Sequence, residues 1–157
     1  MPVSIRAARP EDIPDILDMG RDLNAHVRAP APDQTEARFL ADGFGEGRRF
    51  TALVADADEA LAGYVVYMPA YDYDRASRGH FVHDLYVRPD WRRRGVARAL
   101  LSEVARATRN DGGDFVWWVS FRLNREARGF YRGIARELRD LDVWKLDDAA
   151  LRRLAEG

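Results

Sequence analysis

The sequence predicts an α/β fold, one domain in which helices flank a sheet with mixed strand connections. Strand-length apolar runs alternate with segments whose apolar residues recur at helical spacing, and no repeat or low-complexity linker interrupts them. The length of 157 residues is typical of one domain. A content of 46% hydrophobic and 11% aromatic residues indicates a globular chain with a proper core.

The N-terminal part is predicted to contain a strand and two helices. Residues 3–6 form the strand, and a helix begins after Pro10, where a proline and two acids suit a first turn. Its apolar residues at helical spacing are Ile13, Ile16, Leu17 and Leu23. Asp33 and Glu36 resemble the capping box of a second, short helix that ends near Leu40.

The middle of the chain is predicted to form a hairpin, a third strand and a long helix. The runs FTALVAD and LAGYVVYM, joined by the acidic turn ADEA, predict the hairpin. HFVHDLYV predicts a strand that Pro89 stops. The long helix, which DGGD ends, has one apolar face formed by Val96, Leu100, Leu101 and Val104.

The C-terminal part is predicted to contain two strands and two short helices. FVWWVSF is an apolar run of the length of a buried strand, and DVWKL predicts a last strand. Residues 124–131 form a short helix between them. Asp147 is the predicted cap of a final helix with the sequence AALRRLA.

Charge and cysteine content exclude several classes of function. The 25 Lys and Arg residues are balanced by 26 Asp and Glu residues, which argues against a nucleic-acid partner. The chain has no cysteine, which excludes disulfides and thiolate catalysis and allows a cytoplasmic location. The N-terminus lacks the apolar core of a signal peptide, and no apolar run is long enough for a membrane span. We therefore expect a cytoplasmic protein with no nucleic-acid or membrane partner.

Three arginines precede a glycine where the long helix begins, in the stretch PDWRRRGVARALL. A helix N-terminus has N–H groups without an internal partner and the positive end of the dipole, so it attracts anions. Gly95 lacks the Cβ that would block close approach, and Ala97 keeps the next contact small. The pattern therefore predicts a phosphate site, with a solvated basic turn as the alternative. It matches neither the P-loop nor the dinucleotide-binding glycine motif.

The order of these parts resembles the GCN5-related N-acetyltransferase (GNAT) superfamily. Its pyrophosphate-binding signature, [Arg/Gln]-x-x-Gly-x-[Gly/Ala], corresponds to Arg92, Gly95 and Ala97. The strand HDLYV precedes the signature, and the segment NREARGFY follows the next strand. The similarity covers nearly the whole chain, and the C-terminal region is most similar to the diamine (spermidine/spermine-type) acetyltransferases. It implies a single GNAT domain over residues 1–157, with a splayed, mixed and mostly antiparallel sheet.

The resemblance also implies a cofactor and the residues that hold it. Acetyl-CoA would serve as co-substrate for transfer of an acetyl group to the primary amine of a small molecule. Backbone groups of Leu85, Tyr86 and Val87 would pair with its extended arm as an added strand does. The pyrophosphate would bind the turn and first helical residues Arg92, Arg93, Arg94, Gly95, Val96, Ala97 and Arg98. Asn124, Ala127 and Arg128 would line the same side of the cofactor.

Acetyl transfer to an amine needs a base and an acid, because an alkyl ammonium has a pKa of about 10.4 and the departing thiolate must be protonated. Tyr131 occupies the general-acid position of the family; the alternative is an aromatic packing residue. Where diamine acetyltransferases place a glutamate, this chain has His83, a credible base with Asp84 as second candidate. In a regular strand these two side chains point to opposite faces, which a bulge would alter. His26, His80 and His83 suggest no metal cluster.

The acceptor is less defined than the cofactor. Tyr71, Asp72, Tyr73 and Asp74 form a segment that would suit a cationic amine through charge and cation–π contacts, or is an ordinary solvated loop. Small amines (among them diamines and polyamines), amino acids and aminoglycosides all stay open as substrates. A non-catalytic acyl-CoA-binding regulatory module is the alternative function. The resemblance implies a homodimer, because the diamine enzymes share C-terminal elements between two subunits.

Overall fold

In the computed structural model, residues 3–58 and 60–156 are described, and the chain divides into two compact units between Leu123 and Asn124. The first unit contains a five-stranded sheet whose strands lie side by side in chain order. The strands are β1 (Ser4–Ala7), β2 (Thr51–Asp56), β3 (Leu61–Asp72), β4 (Ser77–Val87) and β5 (Phe115–Trp118). Neighbours up to β4 are antiparallel, whereas β4 and β5 are parallel. The predicted α/β class with a mixed, mostly antiparallel sheet is confirmed.

Three helices of the first unit cover the two faces of this sheet. They are α1 (Ile13–His26), α2 (Glu36–Gly43) and α3 (Val96–Asn110). Alternate side chains of β3 point to opposite faces, so Tyr64 packs in the core beneath α1 and Val65 in the core beneath α3. The run LAGYVVYM reads as continuously apolar because β3 is buried on both faces.

The second unit consists of α4 (Arg125–Arg132), α5 (Asp148–Ala155) and the irregular segment between them. The prediction of a strand at DVWKL is wrong, since Val143 and Trp144 lie in this irregular segment with exposed side chains. Strand propensity is realised only when a neighbouring strand supplies hydrogen bonds and packing. The described part of the chain provides no such neighbour for these residues.

Three further predictions are corrected. FVWWVSF is not a buried strand: only residues 115–118 are extended, and Trp117 on this edge strand is 46% exposed. The cap of α2 is Thr35 rather than Asp33, because the Thr35 hydroxyl accepts a hydrogen bond from the Arg38 N–H at 3.3 Å. Asp147 stands at the N-cap of α5, but its carboxylate pairs with Lys145 at 3.3 Å instead of with the helix backbone.

None of the described helices combines the length and the apolar character needed to cross a bilayer. That both units form one domain over residues 1–157 stays a prediction.

Candidate active site

A β-bulge at His83 shapes the C-terminal half of β4. Tyr67 pairs with Val82 and Val66 pairs with Asp84, so His83 is an extra residue without a partner on β3. The bulge cancels the alternation that would send neighbouring side chains to opposite faces. As a result, His83 Nδ1 lies 3.0 Å from Asp84 Oδ1. The two residues predicted as candidate bases are therefore in direct contact.

The second oxygen of Asp84 is held from the neighbouring strand. The hydroxyl of Tyr64 donates a hydrogen bond to Asp84 Oδ2 at 2.9 Å. Tyr64 is only 1% exposed, and the sequence-based interpretation had placed it among apolar strand residues without a role. The signal was a phenol in a fully buried strand, because a buried tyrosine hydroxyl needs a hydrogen-bond partner.

These contacts shift the pKa values of His83 and Tyr64. The hydrogen bond to Asp84 raises the pKa of His83 above its ordinary value, and partial burial opposes this only in part. Burial, followed by the charge of Asp84, raises the pKa of Tyr64, which keeps its phenol protonated as a donor. The side chain of His83 is 64% exposed, so its ring can exchange protons with a ligand or with solvent.

The start of α3 forms an open cradle for an anion. Gly95 is left-handed, with φ of 83°, and the first helical hydrogen bond runs from the Ala99 N–H to its carbonyl at 2.9 Å. The amides of residues 96–98 therefore have no acceptor inside the helix. A Cβ on Gly95 would meet no heavy atom within 4 Å among the described residues, so the space in front of these amides is open. The geometry fits a diphosphate.

The arginines before this glycine are anchored by their surroundings. Arg92 Nε donates to the Val87 carbonyl at 3.1 Å, and its guanidinium lies 5.7 Å from the Tyr86 ring centre. Arg94 lies over Trp91, 5.3 Å from the ring centre. Both positive charges are thereby kept near the N-terminus of α3, where they add to the field that attracts an anion.

Beside this cradle, β4 has an open edge. Its parallel pairing with β5 ends at Val82 and Trp118. Within the described part of the chain, residues 84–87 pair with β3, and neither they nor His83 have a strand on the β5 side. An extended ligand can therefore pair with the backbone at Leu85, Tyr86 and Val87. The end of the β4–β5 pairing fits the splayed sheet that the resemblance implied.

The other predicted site residues lie in the second unit. Asn124 caps α4, with its side-chain oxygen accepting from the Ala127 N–H at 3.2 Å. Arg128 pairs with Glu137 at 2.5 Å. Tyr131 is half-buried, and burial raises the pKa of its phenol. Their contacts with cofactor or substrate stay predictions.

The tyrosine- and aspartate-rich segment lies at the other end of β4. Tyr71 pairs with Arg78, which precedes His83 by roughly 17 Å of strand. Tyr73 is 88% exposed, and the Asp72 carboxylate accepts from the Arg75 N–H within the turn that also contains Asp74. Tyr71 lines a cavity of about 690 Å³ at the C-terminal end of α3. A role of this segment in binding the acceptor stays a prediction.

The three histidines have separate surroundings. His80 is buried and bonds to the Thr108 hydroxyl at 2.8 Å through Nδ1, while His26 ends α1. Among the residues that the structure describes, no group of three or more His, Asp and Glu side chains is placed to hold a metal ion.

Comparison with known proteins identifies relatives of the whole chain. The sequence model of the Acetyltransferase (GNAT) family matches residues 16–134. A thialysine N-epsilon-acetyltransferase of Sus scrofa is 29% identical, over 98% of this chain and 97% of that protein. An L-ornithine N5-acetyltransferase of Arabidopsis thaliana is 27% identical over 79% of this chain, which spans 49% of the plant protein. Among solved structures, an integron cassette protein of V. cholerae has a TM-score of 0.81 at 20% identity and covers 100% of this chain and 99% of its own.

Proposed function

The chain belongs to the acetyltransferase (GNAT) family, and from that premise we propose that it acetylates the side-chain amine of a small diamino acid. The protein is an acetyl-CoA-dependent N-acetyltransferase that acts on an amine of a small molecule. The named relatives act on thialysine and on ornithine, two amino acids with a second amine. The narrower resemblance to spermidine/spermine-type enzymes implies a polyamine as substrate. The likeness to the named relatives supports a diamino acid instead.

The observation that carries the proposal is the arrangement on β4 and α3 of a base, an open strand edge and an anion cradle. When bound, acetyl-CoA supplies an activated acetyl thioester. The amides of residues 96–98, with Gly95 before them, would hold its diphosphate, which the open space at the start of α3 supports. The open edge at residues 85–87 would take the extended arm. Arg92, Arg93, Arg94 and Arg98 add positive charge around the phosphates.

The proton transfers are assigned to residues of the chain. The acceptor amine arrives as an ammonium, which cannot attack a thioester until it has lost a proton. His83, hydrogen-bonded to Asp84, is the exposed group next to the open edge that can take this proton. Tyr131 is proposed as the acid that protonates the leaving thiolate, on the strength of the family resemblance and of a pKa that burial raises.

A panel of amines tests the substrate class. We expect acetyl-CoA-dependent thiol release with ornithine, thialysine or lysine at a kcat/KM at least roughly tenfold above that with putrescine or spermidine, the size of one charge-assisted contact to the amino-acid carboxylate. Mass spectrometry should place the acetyl group on the side-chain amine. The His83→Gln variant serves as the background control.

A preference for polyamines or for an aminoglycoside would reject the diamino acid while leaving the enzyme class intact. The alternative of a non-catalytic acyl-CoA-binding module is disfavoured by the named N-acetyltransferase relatives.

The quaternary structure and location are part of the same proposal. We infer a homodimer, which is supported by the family resemblance and by exposed apolar side chains of the second unit. A cytoplasmic location is supported by the lack of cysteine.

A further inference from the structure

Tyr64 occupies an unusual position for a core tyrosine. It lies on β3 opposite Tyr86, two residues from the Val66–Asp84 pair on the same face of the sheet, so its long side chain reaches Asp84 diagonally. Helix α1 covers the hydroxyl at Gly20, where an added Cβ would lie 3.3 Å from the Tyr64 oxygen. The hydroxyl is therefore confined between a glycine on one side and a carboxylate on the other.

The partner of this hydroxyl distinguishes it from an ordinary buried phenol. A core tyrosine needs one acceptor, and any backbone carbonyl would satisfy it. Tyr64 instead donates to a carboxylate whose side chain is 30% exposed, which water could solvate without help. The same carboxylate accepts from His83 through its other oxygen. Its two oxygens are thus divided between the core and the exposed imidazole.

We propose that Tyr64 is a positioning residue of the base: by holding Asp84 Oδ2 it turns Oδ1 toward Nδ1 of His83 and leaves Nε2 to accept the substrate proton. The role rests on the proposed function of His83. With Nδ1–H donated to Asp84, neutral His83 is in the tautomer whose lone pair is on Nε2. Tyr64 contributes by fixing the carboxylate, and it touches neither the substrate nor the reacting atoms.

Deprotonation of the substrate moves one proton to His83. The substrate ammonium gives one proton to Nε2, which yields the free amine and an imidazolium whose Nδ1–H stays bonded to Asp84. Tyr64 stays protonated, since burial and the nearby carboxylate raise the pKa of this phenol. The extra proton leaves to solvent from the exposed ring after the acetyl transfer.

Two side chains of β4 contact the His83 imidazole in the described first unit. Asp84 is the charged group that acts on His83, and Phe81 lies against the imidazole edge to face at 6.1 Å. On the sheet, Tyr64 and Tyr86 are the titratable neighbours of the carboxylate, and α1 presents Gly20 to the Tyr64 hydroxyl. A change at Tyr64 therefore reaches His83 through Asp84.

The test replaces the hydroxyl and follows the imidazole directly. Tyr64→Phe is compared with Tyr67→Phe, a buried tyrosine of the same strand that packs against His80 on the other face. Nitrogen NMR of His83 should show the Nδ1–H tautomer in the parent and in Tyr67→Phe, and a mixture of tautomers in Tyr64→Phe. The titration midpoint of His83 should fall only in Tyr64→Phe, because the carboxylate that raises it is no longer held.

The kinetic result should follow the titration. We expect kcat of Tyr64→Phe to fall by roughly tenfold, the size of one hydrogen bond to a charged group, with its acidic limb displaced to lower pH and KM little changed. Gly20→Ala keeps the hydroxyl but crowds it, and should displace the midpoint in the same direction by less. If Tyr64→Phe folds poorly, Gly20→Ala tests the role of the Tyr64 hydroxyl in its place.

Failure of the role of Tyr64 and failure of the proposed function give different results. An unchanged or higher midpoint with an unchanged tautomer in Tyr64→Phe would overturn the role of Tyr64, even if the parent acetylates amines. A parent without activity toward any amine would instead reject the proposed function, while the NMR comparison would still decide whether Tyr64 controls the imidazole.

Discussion

The two nitrogens of the His83 imidazole have different surroundings, and in the proposed mechanism this difference determines when the residue can act as a base. Nδ1 lies 3.0 Å from a carboxylate oxygen, whereas most of the side chain is exposed. The carboxylate favours the imidazolium and raises the pKa of His83 above its ordinary value. A histidine with a raised pKa is a stronger base, but it is deprotonated only at higher pH.

We predict that kcat/KM rises with pH along a limb whose midpoint lies above 6.5, the ordinary pKa of histidine. The sign follows from the raised pKa: protonated His83 cannot accept a proton, so activity appears as the pH passes that value. Asp84→Asn removes the charge that raises it, and the limb should move to lower pH. Rate profiles of both enzymes between pH 5 and 9 measure this, and superimposable limbs would remove the pair from the mechanism.

Tyr131 provides the second prediction at this scale. Burial raises the pKa of its phenol, so the hydroxyl stays protonated at neutral pH and can donate a proton to a leaving thiolate. Tyr131→Phe should lower kcat by roughly a hundredfold or more, as expected for loss of a general acid. Affinity for acetyl-CoA, measured by calorimetry, should change little.

Phe130→Leu is the matched control, because Phe130 is the aromatic neighbour of Tyr131, with ring centres 5.6 Å apart. A similar loss in both variants would indicate a packing role, and full activity of Tyr131→Phe would exclude it as the acid.

At the scale of elements, the prolines and glycines that end and begin helices and strands predicted more of the fold than the strand propensities did. Pro89 and Gly95 bracket a turn, and α3 begins at Val96 as the apolar period predicted. The bulge at His83 was foreseen only as a possibility, because it depends on the register between β3 and β4. The contact of Tyr64 with Asp84 follows from the same register. Such pairings are properties of two strands and cannot be read from one.

The proposed anion site at the N-terminus of α3 can be tested with the C-terminus of the same helix as control. Gly95 and Gly112 flank the helix with φ of 83° and 75°, and a Cβ on either would meet no described heavy atom within 4 Å. A glutamate at each position carries a similar backbone cost of about 1–2 kcal/mol. Only Gly95→Glu puts a negative charge and bulk where the diphosphate would bind. We expect it to weaken acetyl-CoA binding by at least roughly a hundredfold, the equivalent of about 2.7 kcal/mol.

Calorimetry with acetyl-CoA measures this difference, and circular dichroism checks that both variants fold. Gly112→Glu should bind as the parent does. Equal affinities for the two variants would remove the diphosphate from this end of the helix.

An ion network joins β1, β2 and the turn before α1. Arg6 bonds to Asp12 at 2.7 and 3.0 Å and to Asp56 at 2.7 Å, and the Arg9 N–H also donates to Asp12. Burial alone would raise the pKa of Asp12, but the hydrogen bonds from Arg6 and Arg9 outweigh it and lower the pKa. The bond from Arg6 lowers the pKa of Asp56 as well.

We predict that Asp12→Asn lowers the free energy of unfolding by about 3 kcal/mol at pH 7, because it leaves Arg6 partly buried without its main partner. Carboxylates with lowered pKa values stabilise the fold above their unfolded pKa of about 3.9 and lose this effect as the pH falls through the folded values. The difference from the parent should therefore shrink in acid. Urea denaturation of the parent and of Asp12→Asn, at pH 7 and at acid pH, measures this difference.

Asp18→Asn is the control for this network, since the Asp18–Arg21 pair is a surface pair within α1. It should cost less than about 0.5 kcal/mol. A loss as small as this at Asp12 would show that the network does not stabilise the fold.

At the scale of the whole molecule, the second unit is much shorter than the first but has as many exposed large apolar side chains among the described residues. Trp144 is 90% exposed, and its large apolar neighbours along the chain are exposed as well. They are Leu138, Leu141, Val143, Leu146, Leu151 and Leu154. The net charge of −1 provides little repulsion between copies of the chain. A run of this kind is typical of a surface that another chain covers.

We predict that the 17.9 kDa chain is a homodimer in solution and that residues 138–146 form part of its interface. Leu141→Glu and Trp144→Glu place a charge where apolar contact would be buried, so each should convert the dimer to a monomer in light scattering after gel filtration. Tyr73→Glu is the control, because Tyr73 is an exposed aromatic residue in the first unit and should leave the mass unchanged. A monomeric parent at micromolar concentration would contradict the dimer, and a dimer that survives both charge substitutions would place its interface elsewhere.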